Sequence, residues 1–320
     1  MPTELPLAQA ADMRQTIDSL ARTPQSQIVM IVVVLTVLRF LIAPVLKNTP
    51  AHKRSGVFVL LRIFNEFLDA LVYAGIFVFL IIRPFLVQAF VIPSGSMWPA
   101  LYVNDFIVAN KAVYRFSEPN VGDIVVFRPP VAAVSPRDVG PDGQVKIDYI
   151  KRLIGRPGDL IEIKEGQLFR NGQAVNETYK GYTECTNQLP NGDCLMFRSL
   201  TAPEVGELTK ANFKLVEYKG RIIPFNWTAE DGNSRSPKPS SWTQSAPYAI
   251  APEFVIDDPA EAQKLKSAPA VKIPADHFLM MGDNRNGSFD GRAWGIIPRE
   301  AIVGRSEAIW LPFSRLRITR

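Results

Sequence analysis

Two segments of the sequence carry residue types that could perform nucleophilic chemistry together. Ser94-Gly95-Ser96-Met97 lies between Pro93 and Pro99, after an apolar run, which indicates a rigid turn that exposes a serine hydroxyl. Lys151 lies in the apolar, strand-like segment 147–154. Burial among apolar side chains disfavours the charged ammonium and lowers the lysine pKa toward the working pH. Lys151 could then serve Ser96 as a general base, although an ordinary turn and a solvated strand lysine also fit each segment taken alone.

Other catalytic groups for a serine nucleophile are poorly supported. Of the two histidines, His52 lies in a basic segment predicted to be cytoplasmic, and His277 precedes an apolar strand, where a lone histidine is usually structural. Ligands with the spacing of a zinc site are lacking, so the sequence predicts no metal and no other cofactor. The net charge of +5 arises without a dense basic block after residue 83, so no nucleic-acid partner is predicted.

Two apolar stretches near the N-terminus determine where this chemistry would take place. Residues 28–46 contain one charge, Arg39, and have about the length that crosses a bilayer. Residues 64–82 carry Glu66 and Asp69 near their start, and here a membrane span is predicted in preference to a buried core helix. The chain is therefore predicted to have two transmembrane helices.

The charges around these stretches predict the orientation of the chain. The segment 47–63 contains basic residues and no acidic one, which is typical of a short cytoplasmic loop. A short external tail is then expected at 1–27, and the region 83–320 is expected on the outer side. The first apolar stretch begins too late and is too long for a cleavable signal peptide. Ser96 would consequently act close to the lipid surface.

The region after residue 100 has the pattern of a mainly β fold. The predicted strands are short apolar segments at 106–109, 123–127, 145–154 and 160–163. Tight turns are predicted at Glu165-Gly166, Asn171-Gly172 and Lys219-Gly220. About 160–275 is predicted to be an inserted second β lobe, and its part at about 226–270 a long surface excursion. The fold class is thus two N-terminal transmembrane helices followed by a β-rich exported catalytic domain.

The two cysteines, Cys185 and Cys194, flank the Asn-, Pro- and Gly-rich sequence 186–193. This is a loop that a disulfide could close, and the alternative is two unrelated free thiols. A disulfide requires an oxidising compartment. Because the predicted orientation places this region outside the cytoplasm, a Cys185–Cys194 disulfide is favoured.

Four motifs follow one another along the chain. They are IPSGSMWPAL (92–101), VGDIVVFRPP (121–130), DYIKRLIGRPGD (148–159) and MGDNRNGSFDGRAWG (281–295). Together they resemble the motifs of the bacterial signal peptidase I family, the membrane-bound Ser-Lys endopeptidases that remove signal peptides from exported proteins. Their order and spacing both fit that family, which makes the resemblance far more specific than any single short pattern.

The resemblance implies a role for each matching residue. Ser96 would attack the scissile carbonyl to form an acyl-enzyme, and neutral Lys151 would take its proton and later activate water. The Ser96 backbone N–H and the Ser94 hydroxyl would form the oxyanion hole. Ser288 would hydrogen-bond and orient the Lys151 amine.

The same resemblance implies supporting and substrate-binding residues. Asp290 and Arg292 would hold the catalytic corner with Arg152 nearby, while Asp283 and Asn284 would be structural or supportive. Shallow pockets for small side chains, as at Ala-x-Ala cleavage sites, would be lined by residues that are otherwise plain core. These residues are Phe90, Ile92, Met97, Leu101, Tyr149 and Ile150.

The sequence departs from the family pattern at a few positions. Ala100 stands where the family commonly has Thr, Asn286-Gly287 replaces the common Asp-Asn, and Gly291 replaces a common Ser. None of these changes removes a proposed catalytic group, but the resemblance does not define which contacts support the site at these positions.

The two-anchor, disulfide-bearing form of the family implies an inner-membrane protein with its catalytic domain in the periplasm. The implied partners are preprotein signal peptides, the lipid bilayer and, by proximity, the secretion translocon.

Other functions are compatible with parts of this pattern. A self-cleaving repressor of the Ser-Lys type would need a DNA-binding or partner domain, and none is visible. A specialised peptidase that matures one pilus or conjugation protein fits the same motifs. A non-catalytic, membrane-tethered β domain that acts as an adaptor is a third alternative. It would require the joint occurrence of Ser96, Lys151 and Ser288 to be a coincidence.

Overall fold

The computed structural model describes residues 25–50, 54–188, 194–205, 211–228, 256 and 258–319. His52, nearly all of the predicted tail 1–27 and most of the predicted excursion at 226–270 lie outside the described residues. The chain divides into two compact units. The first comprises the residues up to Phe90 with Asn110–Ala112, and the second comprises Val91–Ala109 with Val113–Arg320.

Two long apolar helices make up most of the described part of the first unit. Helix α1 covers Gln25–Asn48, and α2 covers Gly56–Ala74 and continues as a π-helical stretch, Gly75–Ile82. Both are long and apolar enough to cross a membrane, by length and composition. A short helix α3 (Arg83–Phe85) and strand β1 (Val87–Val91) follow.

The second helix begins earlier than the sequence predicted. Residues 56–63 were expected in the loop at 47–63, but they are helical, because the mainly apolar segment after Ser55 continues the helix toward its N-terminus. Arg39, the one charge predicted within the first span, pairs with Asp69 of α2 at 2.6 Å. This ion pair provides a partner for a charge that would be costly alone in an apolar environment.

The second unit is mainly β, as predicted. Its larger sheet has the order β2-β14-β3-β4-β12-β13, with β15 paired to β14. A second sheet has the order β11-β10-β5-β6-β7, and β8 and β9 form a separate hairpin. The strands are β2 (Phe106–Asn110), β3 (Ile124–Phe127), β4 (Tyr149–Gly155), β5 (Ile161–Lys164), β6 (Gln167–Arg170), β7 (Gln173–Ala174), β8 (Thr183–Gln188), β9 (Cys194–Ser199), β10 (Ala211–Tyr218), β11 (Arg221–Thr228), β12 (His277–Met281), β13 (Ile297–Pro298), β14 (Ile302–Leu311) and β15 (Arg317–Ile318).

Short helices connect these strands. The α-helices of this unit are α4 (Val113–Phe116), α5 (Ala202–Val205), α6 (Pro259–Ser267) and α7 (Gly291–Trp294). Helix α6 lies inside the excursion predicted at 226–270 and buries Ala262 and Leu265, so that part of the excursion is packed against the domain.

The predicted tight turns are present. Asn171 and Gly172 have φ of 54° and 80°, and the other two predicted turns likewise combine two positive φ values. Two-residue hairpin loops of this kind match the right-handed twist of the strands they join. By contrast, the strand predicted at 145–154 begins only at Tyr149, because Val145 forms an isolated bridge with Val139 instead.

Strand β12 is apolar and buried from Phe278 to Met281 because both faces of the larger sheet are covered there. Phe278 and Met280 pack into one core cluster with Phe127 and Leu153. Leu279 and Met281 point to the opposite face and pack into a second cluster, which includes residues of β5, β6 and β10. The two-sided packing fixes β4 in the middle of the domain, and β4 carries Lys151.

Candidate active site

The serine turn lies at the edge of the β domain. Residues Gly95–Met97 form one turn of 3-10 helix, closed by hydrogen bonds from Trp98 N to Gly95 O and from Leu101 N to Met97 O. The Ser94 hydroxyl donates to Ser96 Oγ at 3.3 Å. Ser96 is 9% exposed, so its hydroxyl lies in a largely water-free environment.

Lys151 reaches Ser96 from β4. Its Nζ donates to Ser96 Oγ at 2.9 Å and to the Ile150 carbonyl at 3.1 Å. The lysine is 5% exposed, and its strand is held on one side by β3, where Val125 pairs with Lys151. The structure therefore brings together the two residues that the sequence placed 55 positions apart.

The surroundings of Lys151 favour its neutral form. Burial lowers the pKa of its amine from 10.5 to about 8. The carboxylates of Asp290 and Asp283 oppose this shift, and the charge of Arg292 adds to it. An amine with this pKa is neutral in a useful fraction near neutral pH, as a general base must be.

Asp290 anchors the loop that follows β12. Its carboxylate accepts hydrogen bonds from Gly282 N at 2.9 Å and from Arg292 Nη2 at 2.8 Å, among others. Burial alone would raise the pKa of the Asp290 carboxyl, but the charge of Arg292 and these hydrogen bonds outweigh it, so the pKa lies below its usual value. Asp290 and Arg292 are thus paired directly at this corner.

Arg152, expected near the corner held by Asp290 and Arg292, pairs with another carboxylate of the same loop. It makes a two-pronged ion pair with Asp283, with Arg152 Nε and Nη2 at 2.7 and 2.6 Å from the carboxylate oxygens. Both side chains are buried, and the guanidinium also donates to the Gly122 carbonyl and lies over the Tyr179 ring. Arg152 therefore joins β4 to the loop after β12 through Asp283 and not through Asp290.

The expected hydrogen bond between Ser288 and Lys151 is absent. The Ser288 hydroxyl is buried and has no hydrogen-bond partner among the described residues. Lys151 uses the Ile150 carbonyl as its second acceptor instead, because that carbonyl lies on the same strand within reach of Nζ.

The residues expected to line the substrate pockets differ in burial. Ile92, Met97 and Leu101 are at most 3% exposed, so in this structure they are core residues beside the serine turn. Tyr149 and Ile150 are half-buried next to Lys151, and the Tyr149 hydroxyl donates to the Ala133 carbonyl. Phe90 is half-buried in β1.

Asn284 contributes more than the sequence indicated. Its Nδ2 donates to Gly95 O at 3.0 Å, and its backbone N–H donates to Ser96 O at 3.1 Å. Because a trans peptide places C=O and N–H on opposite sides, the Ser96 N–H points away from Asn284. Asn284 therefore sets the direction of the N–H that the sequence assigned to the oxyanion hole.

Two further residues near the turn were missed in the sequence. Thr183 of β8 accepts a hydrogen bond from Asn284 Nδ2, and Phe197 of β9 packs on Gly95. The hairpin that carries them is closed by the predicted disulfide, Cys185–Cys194. No local sequence pattern marks either residue, because the contacts link segments far apart in the chain.

The arrangement provides the parts of a Ser-Lys hydrolase. A buried serine hydroxyl accepts a hydrogen bond from an amine with a lowered pKa, and backbone and hydroxyl donors lie beside it. Among the described residues, no group of three or more His, Cys, Asp or Glu side chains could hold a metal ion.

Comparisons with known proteins identify similar chains. Residues 64–311 match the family model described as "Signal peptidase, peptidase S26". The chain is 31% identical over 243 residues to a signal peptidase I of Aquifex aeolicus, and the aligned region covers 72% of this chain and 78% of the relative. It is 30% identical over 259 residues to a signal peptidase I of Pseudomonas aeruginosa, and this aligned region covers 74% of this chain and 69% of the relative.

Proposed function

The chain belongs to the signal peptidase family, peptidase S26, and we propose that it removes signal peptides from exported preproteins with a Ser96–Lys151 dyad. The observation that carries the dyad is the 2.9 Å hydrogen bond between a buried lysine amine and a serine hydroxyl. Within the second unit, Lys151 is the described amine that meets both requirements of a base: it contacts Ser96, and burial lowers its pKa.

In the proposed reaction, neutral Lys151 takes the proton of Ser96 as its oxygen attacks the scissile carbonyl carbon. The tetrahedral intermediate collapses to an acyl-enzyme, and the protonated amine returns its proton to the leaving amino group. Lys151, neutral again, then takes a proton from the water that attacks the ester, and it returns this proton to the Ser96 oxygen as the acyl–oxygen bond breaks. The Ser96 N–H, directed by Asn284, and the Ser94 hydroxyl donate to the oxyanion, and each such donor is worth about 3 kcal/mol.

The proposed substrate is a preprotein with small residues before the cleavage site, in an Ala-x-Ala pattern. Tyr149 and Ile150 present half-buried surface beside Lys151, and the buried side chains of Ile92, Met97 and Leu101 lie behind the serine turn. A shallow apolar lining of this kind would accept small side chains and exclude large ones.

The proposed location is the inner membrane, with both long helices spanning it and the β domain in the periplasm. Supporting this, both helices expose large apolar side chains, with Phe40 72% and Leu60 68% exposed. The disulfide fits an oxidising compartment. In that position Ser96 would meet signal peptides as they leave the translocon within the bilayer.

The experiment that tests this function uses the full chain in detergent with a preprotein whose signal peptide ends Ala-x-Ala. Wild type is expected to cleave after the final Ala, as mapped by mass spectrometry, and Ser96→Ala is expected to be inactive. Ser117→Ala, which changes an exposed serine, is the matched control and is expected to keep full activity. Cleavage by Ser96→Ala would overturn the dyad, and wild-type cleavage of a single pilus-type substrate alone would favour a specialised peptidase.

The pH dependence of turnover is expected to follow Lys151. With a pKa of about 8, about one tenth of the amine is neutral at pH 7 and about one hundredth at pH 6. Because the neutral form is the base, kcat/KM should rise about tenfold per pH unit below pH 8 and level off above it. Single-turnover cleavage from pH 5.5 to 9.5 measures this profile. An inflection near 6.5 would instead indicate a histidine base.

A further inference from the structure

The hairpin β8–β9 is attached to the catalytic corner by a side-chain amide. Asn286 Oδ1 accepts a hydrogen bond from Thr183 N at 2.9 Å, and Asn286 Nδ2 donates to Thr183 O at 2.6 Å. This pair of bonds needs a group that both accepts and donates, so a carboxylate at position 286 could not make it. Asn286 is one of the positions at which the sequence departs from the motifs it resembles.

The same threonine continues the connection to the serine turn. Thr183 Oγ1 accepts from Asn284 Nδ2 at 2.7 Å, and that same amide nitrogen donates to Gly95 O. Gly181, just before the hairpin, is bridged to Asn284 in parallel orientation. The base of the hairpin and the carbonyl of Gly95 are therefore fixed by one side chain.

Phe197 brings the hairpin into direct contact with the turn. It lies opposite Cys185 in the β8–β9 register, shortly after Cys194, which the disulfide bonds to Cys185. A Cβ atom built on Gly95 would lie 2.2 Å from Cε2 and Cζ of the Phe197 ring. Gly95 lies outside the left-handed backbone region, so the ring, and not the backbone conformation, requires glycine there.

We propose that Phe197 is a positioning residue for the nucleophile, and that the disulfide-closed hairpin exists in part to press its ring against Gly95. This rests on the proposed role of Ser96. The ring occupies the place that a side chain on Gly95 would take, while Asn284 holds the Gly95 carbonyl, so two contacts restrain the peptide that carries the Ser96 N–H. Without the ring, the turn can shift, and a displacement of about 1 Å at a reacting group costs about 100-fold in rate.

The test is a double-mutant cycle on the full chain in detergent with the Ala-x-Ala preprotein. Phe197→Ala is expected to lower kcat about tenfold or more with KM changed less than twofold, because the ring positions the nucleophile and not the substrate. Gly95→Ala is expected to lower kcat about 100-fold, because the new Cβ meets the ring. The variant with both changes should regain at least tenfold over Gly95→Ala, since the added methyl then has space.

Three results would overturn the proposal: full kcat in Phe197→Ala, simple addition of the two effects, or a loss that appears mainly in KM. Phe197→Leu, which keeps an apolar side chain in place, should recover most of the kcat that Phe197→Ala loses. This comparison decides the question even if Gly95→Ala does not fold. Ser96→Ala, assayed in parallel, distinguishes a failure of this positioning proposal from a failure of the proposed function. Activity in Ser96→Ala would contradict the proposed function itself.

A substitution at Asn286 tests separately whether attachment of the hairpin matters for turnover. Asn286→Leu has a side chain of similar size but can neither accept from Thr183 N nor donate to Thr183 O, so it is expected to lower kcat about tenfold and to speed hydrogen exchange of the Thr183 amide. The pH at which kcat/KM levels off should stay near 8, because the pKa of Lys151 owes its shift mainly to burial. Wild-type kcat in Asn286→Leu with faster exchange at Thr183 would show that the hairpin does not position the nucleophile.

Discussion

Replacing Lys151 with methionine is expected to abolish turnover while making the β domain more stable at neutral pH. The loss of activity should reach about 10⁴-fold, because removing a general base from a coupled pair takes away most of the chemical acceleration. Methionine has a similar length and no charge, so it should fit the apolar space around the Lys151 side chain without forming a cavity.

The gain in stability follows from the pKa of Lys151. The pKa is about 8 in the folded protein and 10.5 in the ordinary reference, so folding disfavours the charged amine by about 3 kcal/mol. Loss of the hydrogen bonds to Ser96 and Ile150 offsets about 1 kcal/mol of this, which leaves a net gain of about 2 kcal/mol. This cost of burying the charged amine in the wild-type protein is fully present below pH 8. It declines as the pH rises from about 8 to 10.5 and is gone above that.

The measurement is unfolding at pH 7 and pH 10.5, followed by tryptophan fluorescence, since all five tryptophans of the chain follow residue 91. The advantage of Lys151→Met over wild type should be about 2 kcal/mol at pH 7 and should disappear at pH 10.5. Lys164→Met, which changes a side chain that is 56% exposed, is the control and should alter neither activity nor stability by much. A destabilised Lys151→Met at pH 7 would contradict the lowered pKa of the buried amine.

The sequence predicted the parts of the site that local patterns encode. The serine turn, the lysine in an apolar strand and the three two-residue turns all follow from residue type and neighbours. Lys151 shows why predicting a strand was enough to predict a buried lysine. Both faces of β4 are covered by core residues, so a lysine in this strand is buried whichever face it lies on.

The contacts that hold the site could not be predicted in the same way. Arg152 and Asp283 are 131 positions apart, and Asn284 and Gly95 are 189 apart. Which of two nearby carboxylates an arginine selects depends on the path of both segments, and the sequence indicated only that Arg152 lies near the corner held by Asp290 and Arg292. Ser288 shows the same limit for a single hydroxyl, because a rotation about one bond decides its partner.

Breaking the Arg152–Asp283 ion pair from one side is expected to be the most destabilising single change in the domain. Arg152→Met should lower the free energy of unfolding by about 4 kcal/mol, because the Asp283 side chain, 1% exposed, is left as a buried charge without its partner. Adding Asp283→Asn should recover about 2 kcal/mol, since the remaining group is then neutral.

The control is an exposed ion pair. Glu118→Gln, which breaks a pair whose carboxylate is 77% exposed, should cost less than about 1 kcal/mol. Unfolding by tryptophan fluorescence measures all three. Should the double variant be no more stable than Arg152→Met, the cost would lie in lost packing on Tyr179 and the lost bond to Gly122, and not in the unpaired charge.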